Sequence, residues 1–434
     1  FCREQAAALR QPPATAQGAP APLGRPLLAN IAPGDDEIDW FDLAAEVDII
    51  AWDNYPHGFP DWAGVALFHD HVRGLKQAPF WVMEQQPGPI NWTATNPPVP
   101  PGQVRLWTYQ DAAHGAENVL FFRWRAGRVG QEQFHSGLLS HAAQPTRGHA
   151  EARQVAEEWA TWGQPRAAAR KAALLISYDD LWAQQIDPHA AGWSYWRLAR
   201  IIHRSLLEHG IGVDVLRRGS DLAGYSLAVA VAPTIIDEAE AAHWREWTAA
   251  GGTLVATARA FTKDRDNRWT DQPLPAGLTD FFGAEVAEWT ALVPNVPGHL
   301  SFADSGDLEI ELWAEILRPT VGNPLLTYTA GYAIDQTAAT AATYGKGMAV
   351  LLGFHPSDEV LAELWPRLLP EASRLPLGVE QIALDDGLLL FNHTRYPAEV
   401  TLSGAWIDRL TGQTLQGQCS IPELDVRWLQ RADA

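Results

Sequence analysis

The chain has 434 residues, 47% of them apolar and 19% charged, and a formal net charge of −20 at pH 7; this is enough material for two or three soluble domains with sizeable cores. So acidic a balance excludes nucleic acid and an anionic membrane as expected partners, since both need a basic surface. Two cysteines, Cys2 and Cys419, build neither a disulfide framework nor a cysteine-based metal site; with no apolar run of spanning length and no signal-peptide pattern, the expected location is cytoplasmic.

Residues 1–11 read as the tail of a helix and 12–22, rich in Pro, Ala and Gly, as a loop. Strands and helices then alternate. Strands are predicted at 27–31, 47–52, 80–83 and 118–124, and helices at 37–46, 63–76, 104–115 and 149–162, the first of them started by Asp35 and Asp36. Such alternation implies a parallel sheet and an α/β class. A (β/α)8 barrel needs eight such units and roughly 250 residues. Residues 1–165 are therefore expected to form the C-terminal half of a TIM barrel, with a smaller open α/β sheet as the other arrangement the pattern allows.

After a linker at 166–171, a second α/β pattern runs over 170–375. Its strands are predicted at 172–177, 212–216, 227–232, 253–256 and 347–352, and its helices at 193–209, 238–250 and from Asp358. From 376 the pattern changes to short alternating segments at 380–383, 387–392, 399–402 and 425–429, with a turn at Leu410-Thr411-Gly412. These predict a small antiparallel β domain over 376–434, expected as a β-sandwich. The FNHT segment at Asn392 matches a glycosylation acceptor, which has little force without a signal peptide.

The stretch 79–92, PFWVMEQQPGPINW, holds the clearest chemical signal. Its strand-forming residues run into one carboxylate, Glu84, before the chain breaks at Pro87-Gly88-Pro89. An acid at the end of a buried strand does little for stability, whereas barrel active sites sit at the C-terminal ends of strands. A Glu that merely reaches water is the other reading. Another predicted strand ends in Asp53, Asn54, Tyr55 and His57; Tyr55 could hydrogen-bond a carboxylate, though DNYP is also a turn sequence. After the fourth strand, Glu132 and His135 lie three apart, so in a helical turn both would point one way. A carboxylate beside an imidazole can orient sugar hydroxyls, could bind a metal, or could belong to a solvated loop. Twenty Trp point the same way, since an indole face suits the apolar side of a sugar ring, although Trp also does core work.

MEQQPGPINW, VRLWTYQDAAHGAENVLFFRWR and GQEQFHSGLL, in this order and at compatible spacing, resemble the β-galactosidases of glycoside hydrolase family 42. The resemblance implies Glu84 as catalytic nucleophile in retaining hydrolysis of β-galactosides, and Trp92, Glu132, His135 and Tyr55 as substrate-binding residues around it. It implies that 1–165 belongs to a TIM-barrel catalytic domain whose acid/base Glu follows an Asn on a strand absent here. The zinc-binding cysteines of some members would lie upstream too, so no cofactor is expected within this chain. It further implies that 170–375 is a glutamine-amidotransferase-like domain used to form a homotrimer. No cysteine lies between Cys2 and Cys419, so amidotransferase chemistry is excluded, and His203, His243 and His355 are expected to be structural. Without its acid/base, the chain could instead be an inactive remnant that only binds carbohydrate or oligomerises.

Overall fold

The first four strands pair in chain order into a parallel sheet. In the computed structural model, which describes residues 2–10, 25–56 and 61–432, helix α1 (Cys2–Arg10) precedes β1 (Leu28–Ile31), α2 (Trp40–Ala44), β2 (Ile49–Asn54), α3 (Trp62–Gly74), β3 (Phe80–Gln85), α4 (Gln103–Ala113), β4 (Ala116–Phe121) and α5 (Arg147–Trp162). The loop expected at 12–22 and the residue His57 lie outside the described residues. Helix α2 starts later than Asp35 and Asp36 suggest. Asp39 caps it by accepting from the backbone N–H groups of Phe41 and Asp42, while Asp35 is used in a turn, accepting from Glu37 N–H. Trp52, Leu67 and Phe80 are fully buried between the sheet and its helices; each such side chain contributes about 1.5–3 kcal/mol of burial.

The chain then builds a second unit, Ala169–Arg374. It begins with β5 (Ala172–Ile176), α6 (Tyr178–Ile186), α7 (Tyr195–Leu207), β6 (Val213–Arg217), β7 (Leu227–Ala230), α8 (Glu238–Ala250), β8 (Thr253–Thr257) and α9 (Thr279–Phe282). It continues with β9 (Ala284–Ala291), β10 (Gly298–Ser301), β11 (Leu308–Ile310), β12 (Trp313–Pro319), β13 (Asn323–Tyr328), β14 (Thr337–Tyr344), β15 (Gly347–Leu352) and α10 (Asp358–Leu368). Strands β6, β5, β7, β8 and β15 form a parallel core in that order, and antiparallel strands extend it from β14. Arg218 is buried between the carboxylates of Asp180 (2.5 Å) and Glu240. Buried His203 and His355 belong to this unit.

The last strands are β16 (Val379–Leu384), β17 (Gly387–Asn392), β18 (Ala398–Asp408), β19 (Thr414–Ile421) and β20 (Asp425–Arg431). They form one antiparallel sheet of order β16-β17-β20-β18-β19, not the two sheets of a sandwich. The physical reason is that helices supply the second layer. Ile382, Leu389, Phe391, Val426 and Trp428 pack on Leu106, Tyr109 and Ala113 of α4 and Val155 of α5, while the alternate residues Leu390 and Leu429 bury a separate cluster with Val400, Cys419 and Ile421. Phe1–Ala168 and Leu375–Ala434 thus make one compact unit. Asn392 is buried, its amide donating to the carbonyls of Tyr396, Ile421 and Pro422, so it is a structural residue and not an accessible glycosylation acceptor.

Charge also joins this sheet to the helices. The buried imidazole of His114 lies 2.8 Å from Asp70 of α3 and 2.8 Å from Glu380 of β16, whose other oxygen is 2.9 Å from His393. Arg105 of α4 reaches Glu158 of α5 (3.0 Å) and Asp425 of β20 (2.6 Å). Among the described residues, no helix is long and apolar enough to cross a membrane.

Candidate active site

The four parallel strands bring polar side chains together at their C-terminal ends. Asn30 comes from β1, Asp53 from β2 with Tyr55 just beyond it, and Glu84 from β3; Arg123 follows β4. In the pairing of β2 with β3, Asp53 is the register partner of Glu84. The Tyr55 hydroxyl donates to Oε2 of Glu84 at 2.6 Å. Burial and the nearby Glu84 charge push the Tyr55 phenol well above its ordinary range, so it stays protonated and acts as a donor. The Asn30 amide donates to Asp53 at 3.0 Å. Burial, opposed by that hydrogen bond and reinforced by the Glu84 charge, still raises the Asp53 carboxyl to about 6.

Two loops wall this cluster. The one after β3 carries Trp92, half exposed, whose indole meets the edge of Tyr55 with centroids 5.3 Å apart. The one after β4 carries Glu132 and His135. They lie in a hydrogen-bonded turn, with His135 N–H donating to Glu132 O at 3.1 Å, and diverge in environment. Glu132 is half-buried and ion-pairs with Arg123 at 3.3 Å. His135 is buried against Tyr55 (5.8 Å) and Phe122 (5.3 Å), with both ring nitrogens sealed from solvent. Burial lowers its pKa, favouring the neutral ring, which offers one donor and one acceptor. Five expected residues, Tyr55, Glu84, Trp92, Glu132 and His135, therefore share one locality.

The loops hold each other in place. Asn91 donates to Gln131 O at 2.9 Å, and Ser136 N–H to Pro89 O at 2.9 Å. Glycine is required where they touch: a Cβ on Gly148, in the first turn of α5, would stand 1.9 Å from Pro87 O. Thr146 caps that helix by accepting from His149 N–H.

Asp53, Asn30 and Arg123 join the cluster without having been singled out as site residues. Their signal was a polar residue at or just past the C-terminal end of successive strands, which for Asp53 the turn-like DNYP sequence disguised. Among the described residues, no three His, Cys, Asp or Glu side chains are grouped to hold a metal ion. The site thus gathers three hydrogen-bonded carboxylates, an imidazole and an arginine among aromatic side chains, suited to a neutral polyhydroxylated ligand.

A family model described as β-galactosidase matches residues 21–162, and one described as β-galactosidase trimerisation domain matches residues 170–375. The β-galactosidase BgaH of Haloferax lucentense is 35% identical over 390 residues, covering 85% of this chain and 58% of the relative. A β-galactosidase of Thermus thermophilus is 34% identical over 373 residues, with 82% and 55% covered. The crystal structure of β-galactosidase from Bacillus circulans sp. alkalophilus has a TM-score of 0.87 at 27% identity, covering 94% of this chain and 63% of that one. The chain spans little more than half the length of the curated relatives it matches. With models of one family matching on both sides of its linker, the chain belongs to glycoside hydrolase family 42.

Proposed function

We propose that this chain carries the nucleophile half of a retaining β-galactosidase. Glu84 attacks the anomeric carbon of a terminal β-galactoside, forming a galactosyl ester as the bond to the leaving oxygen breaks. A second carboxyl group protonates that oxygen, then takes a proton from water as the water displaces Glu84 and releases galactose. The observation that carries this proposal is the Glu84 carboxylate at a strand end, held at 2.6 Å by Tyr55. Trp92 offers an indole face to the sugar, while Glu132 and His135 hydrogen-bond its hydroxyls. The acid/base is assigned to a part of the intact enzyme outside these 434 residues, in keeping with the share of the relatives' length that the chain spans. Hydrolysis by two carboxyl groups needs no cofactor, and a cytoplasmic location completes the proposal.

The test is a 2-fluoro-galactoside that accumulates as a covalent intermediate on the catalytically complete enzyme. Labelling of the peptide spanning 79–92 is expected, and Glu84→Gln should abolish both label and turnover. A label elsewhere, or near-normal turnover in Glu84→Gln, would reject the role of Glu84. We further assign residues 170–375 to a homotrimer contact, supported by the trimerisation-domain match; sedimentation as a monomer at micromolar concentration would reject it.

A further inference from the structure

We propose that the second unit carries a separate binding site for a single pyranose ring, distinct from the Glu84 cluster. A cavity of about 130 Å³ opens at the C-terminal side of β5, β7 and β8, lined by Gln184 of α6, Thr234 after β7 and Arg259 after β8. Open α/β sheets bind ligands in the crevice outside the carboxyl ends of their strands. The loops there are held in unusual backbone conformations: Ala232 (φ 35°), Arg259 (φ 68°) and Phe261 (φ 49°) all lie in the left-handed region without being glycine. Such strain collects at ligand sites.

The polar groups are built in and incomplete. Glu315 of β12 is buried; its Oε1 accepts from Arg259 N–H (2.9 Å) and from the Trp313 indole (3.0 Å), while its Oε2 has no partner among the described residues. Arg259 is also buried, clamped between the rings of Trp193 (4.0 Å) and Trp313 (4.2 Å), and its Nε is likewise without a partner. Glu315 Oε2 and Arg259 Nε are both sealed from solvent, so polar contact with a ring in the cavity falls to other lining side chains such as Thr262, Lys263 and Asp187. With Lys263 and Asp187 also on the lining, the charge is mixed and selects no simple anion.

Aromatic faces complete the fit. Trp289 of β9 is the register partner of Glu315, and its indole lies beside that of Trp269, with centroids 5.1 Å apart. Both rings line the cavity and are about half exposed, giving an apolar wall at a polar mouth. An enclosed cavity of roughly 150 Å³ holds benzene, so this open space of about 130 Å³ takes at most one pyranose, part of it at the mouth, and further sugar units would extend past the two tryptophans. The ligand is thus a free monosaccharide or the terminal unit of a short oligosaccharide.

The experiment uses the full 434-residue chain carrying Trp92→Ala, so that the Glu84 cluster does not dominate. Saturation-transfer NMR and tryptophan fluorescence follow titration with D-galactose, D-glucose and lactose. Saturable binding of at least one sugar is expected, and adding Trp289→Ala should weaken it about tenfold or more. Tighter binding of lactose than of either monosaccharide would identify an oligosaccharide terminus; equal or weaker binding would identify a free sugar. Absence of saturable binding at millimolar sugar overturns the proposal. So does binding unchanged by Trp289→Ala and by Trp269→Ala, in proteins whose thermal melts match the parent. Because neither variant touches the Glu84 cluster, failure here leaves the hydrolase proposal standing, and the reverse also holds.

Discussion

The phenol of Tyr55 and the carboxylate of Glu84, from the ends of neighbouring strands, are joined by a 2.6 Å hydrogen bond. Tyr55→Phe removes that bond and keeps the ring against Trp92 and His135. A hydrogen bond to a charged group contributes about 1.5–3 kcal/mol, so kcat/KM for a nitrophenyl β-galactoside should fall about ten- to a hundredfold. The loss is expected in kcat; a change confined to KM would mean that the phenol binds substrate rather than positioning Glu84.

Glu132→Ala and His135→Ala should each weaken sugar binding and slow hydrolysis about ten- to a hundredfold. Glu132→Ala carries a second effect, since it leaves Arg123 without its ion pair. Galactoside hydrolysis untouched by either change would show the turn to be an ordinary solvated loop.

Burial pushes the His114 imidazole down, but the Asp70 and Glu380 carboxylates outweigh it and raise the pKa to about 9, from 6.5 for an unperturbed ring. A raised pKa means that folding favours the charged form. That stabilisation is whole below pH 6.5 and is lost as pH rises through about 9. Thermal melts of the first unit should therefore fall across this window, and His114→Gln should flatten the slope. An equal slope in the variant would move the effect to other groups.

Arg218→Met leaves the carboxylates of Asp180 and Glu240 buried together in the second unit. Removing one member of a buried ion network costs about 3–5 kcal/mol. Urea denaturation should show a loss of this size, partly recovered when Asp180→Asn and Glu240→Gln are added. No recovery would mean that packing, not charge, is what Arg218 supplies.

Expressed alone, these 434 residues should not turn over nitrophenyl β-galactosides, since a positioned acid contributes about 10²–10⁴-fold. Turnover that vanishes in Glu84→Gln would mean that Asp53 or Glu132 protonates the leaving group. Asp53, with its carboxyl raised to about 6, would be the first to replace.

The strand ending at Glu84 is legible because PFWVME runs apolar into one acid and breaks at proline. The parallel core of the second unit is legible for the same reason, through runs such as AALLI and TLVAT. Helix α6 and the six strands from β9 to β14 are not. Strand β14, TAATAATY, buries alanine and threonine, which carry almost no hydrophobic period, and β9 fully buries only its first residue. The Asp180–Arg218–Glu240 network escapes for another reason: its members are 38 and 22 residues apart, and only the fold makes them neighbours. The covering of β16–β20 by α4 and α5 is equally non-local, which is why the segment looked self-sufficient as a sandwich.

That non-local core has a consequence for how the protein is made on the ribosome. Helix α4 emerges from the exit tunnel before Ala169–Arg374 has been synthesised, yet its partners in β16, β17 and β20 come after. At about 5–20 residues per second, the 265 residues between Ala113 and Val379 impose a delay of roughly 13–53 s. Throughout that interval the nascent chain shows a bare apolar stripe at Leu106, Tyr109 and Ala113, next to a His114 that has not met Glu380. Chaperone demand during synthesis should peak there, and a stop codon at position 375 would make the delay permanent.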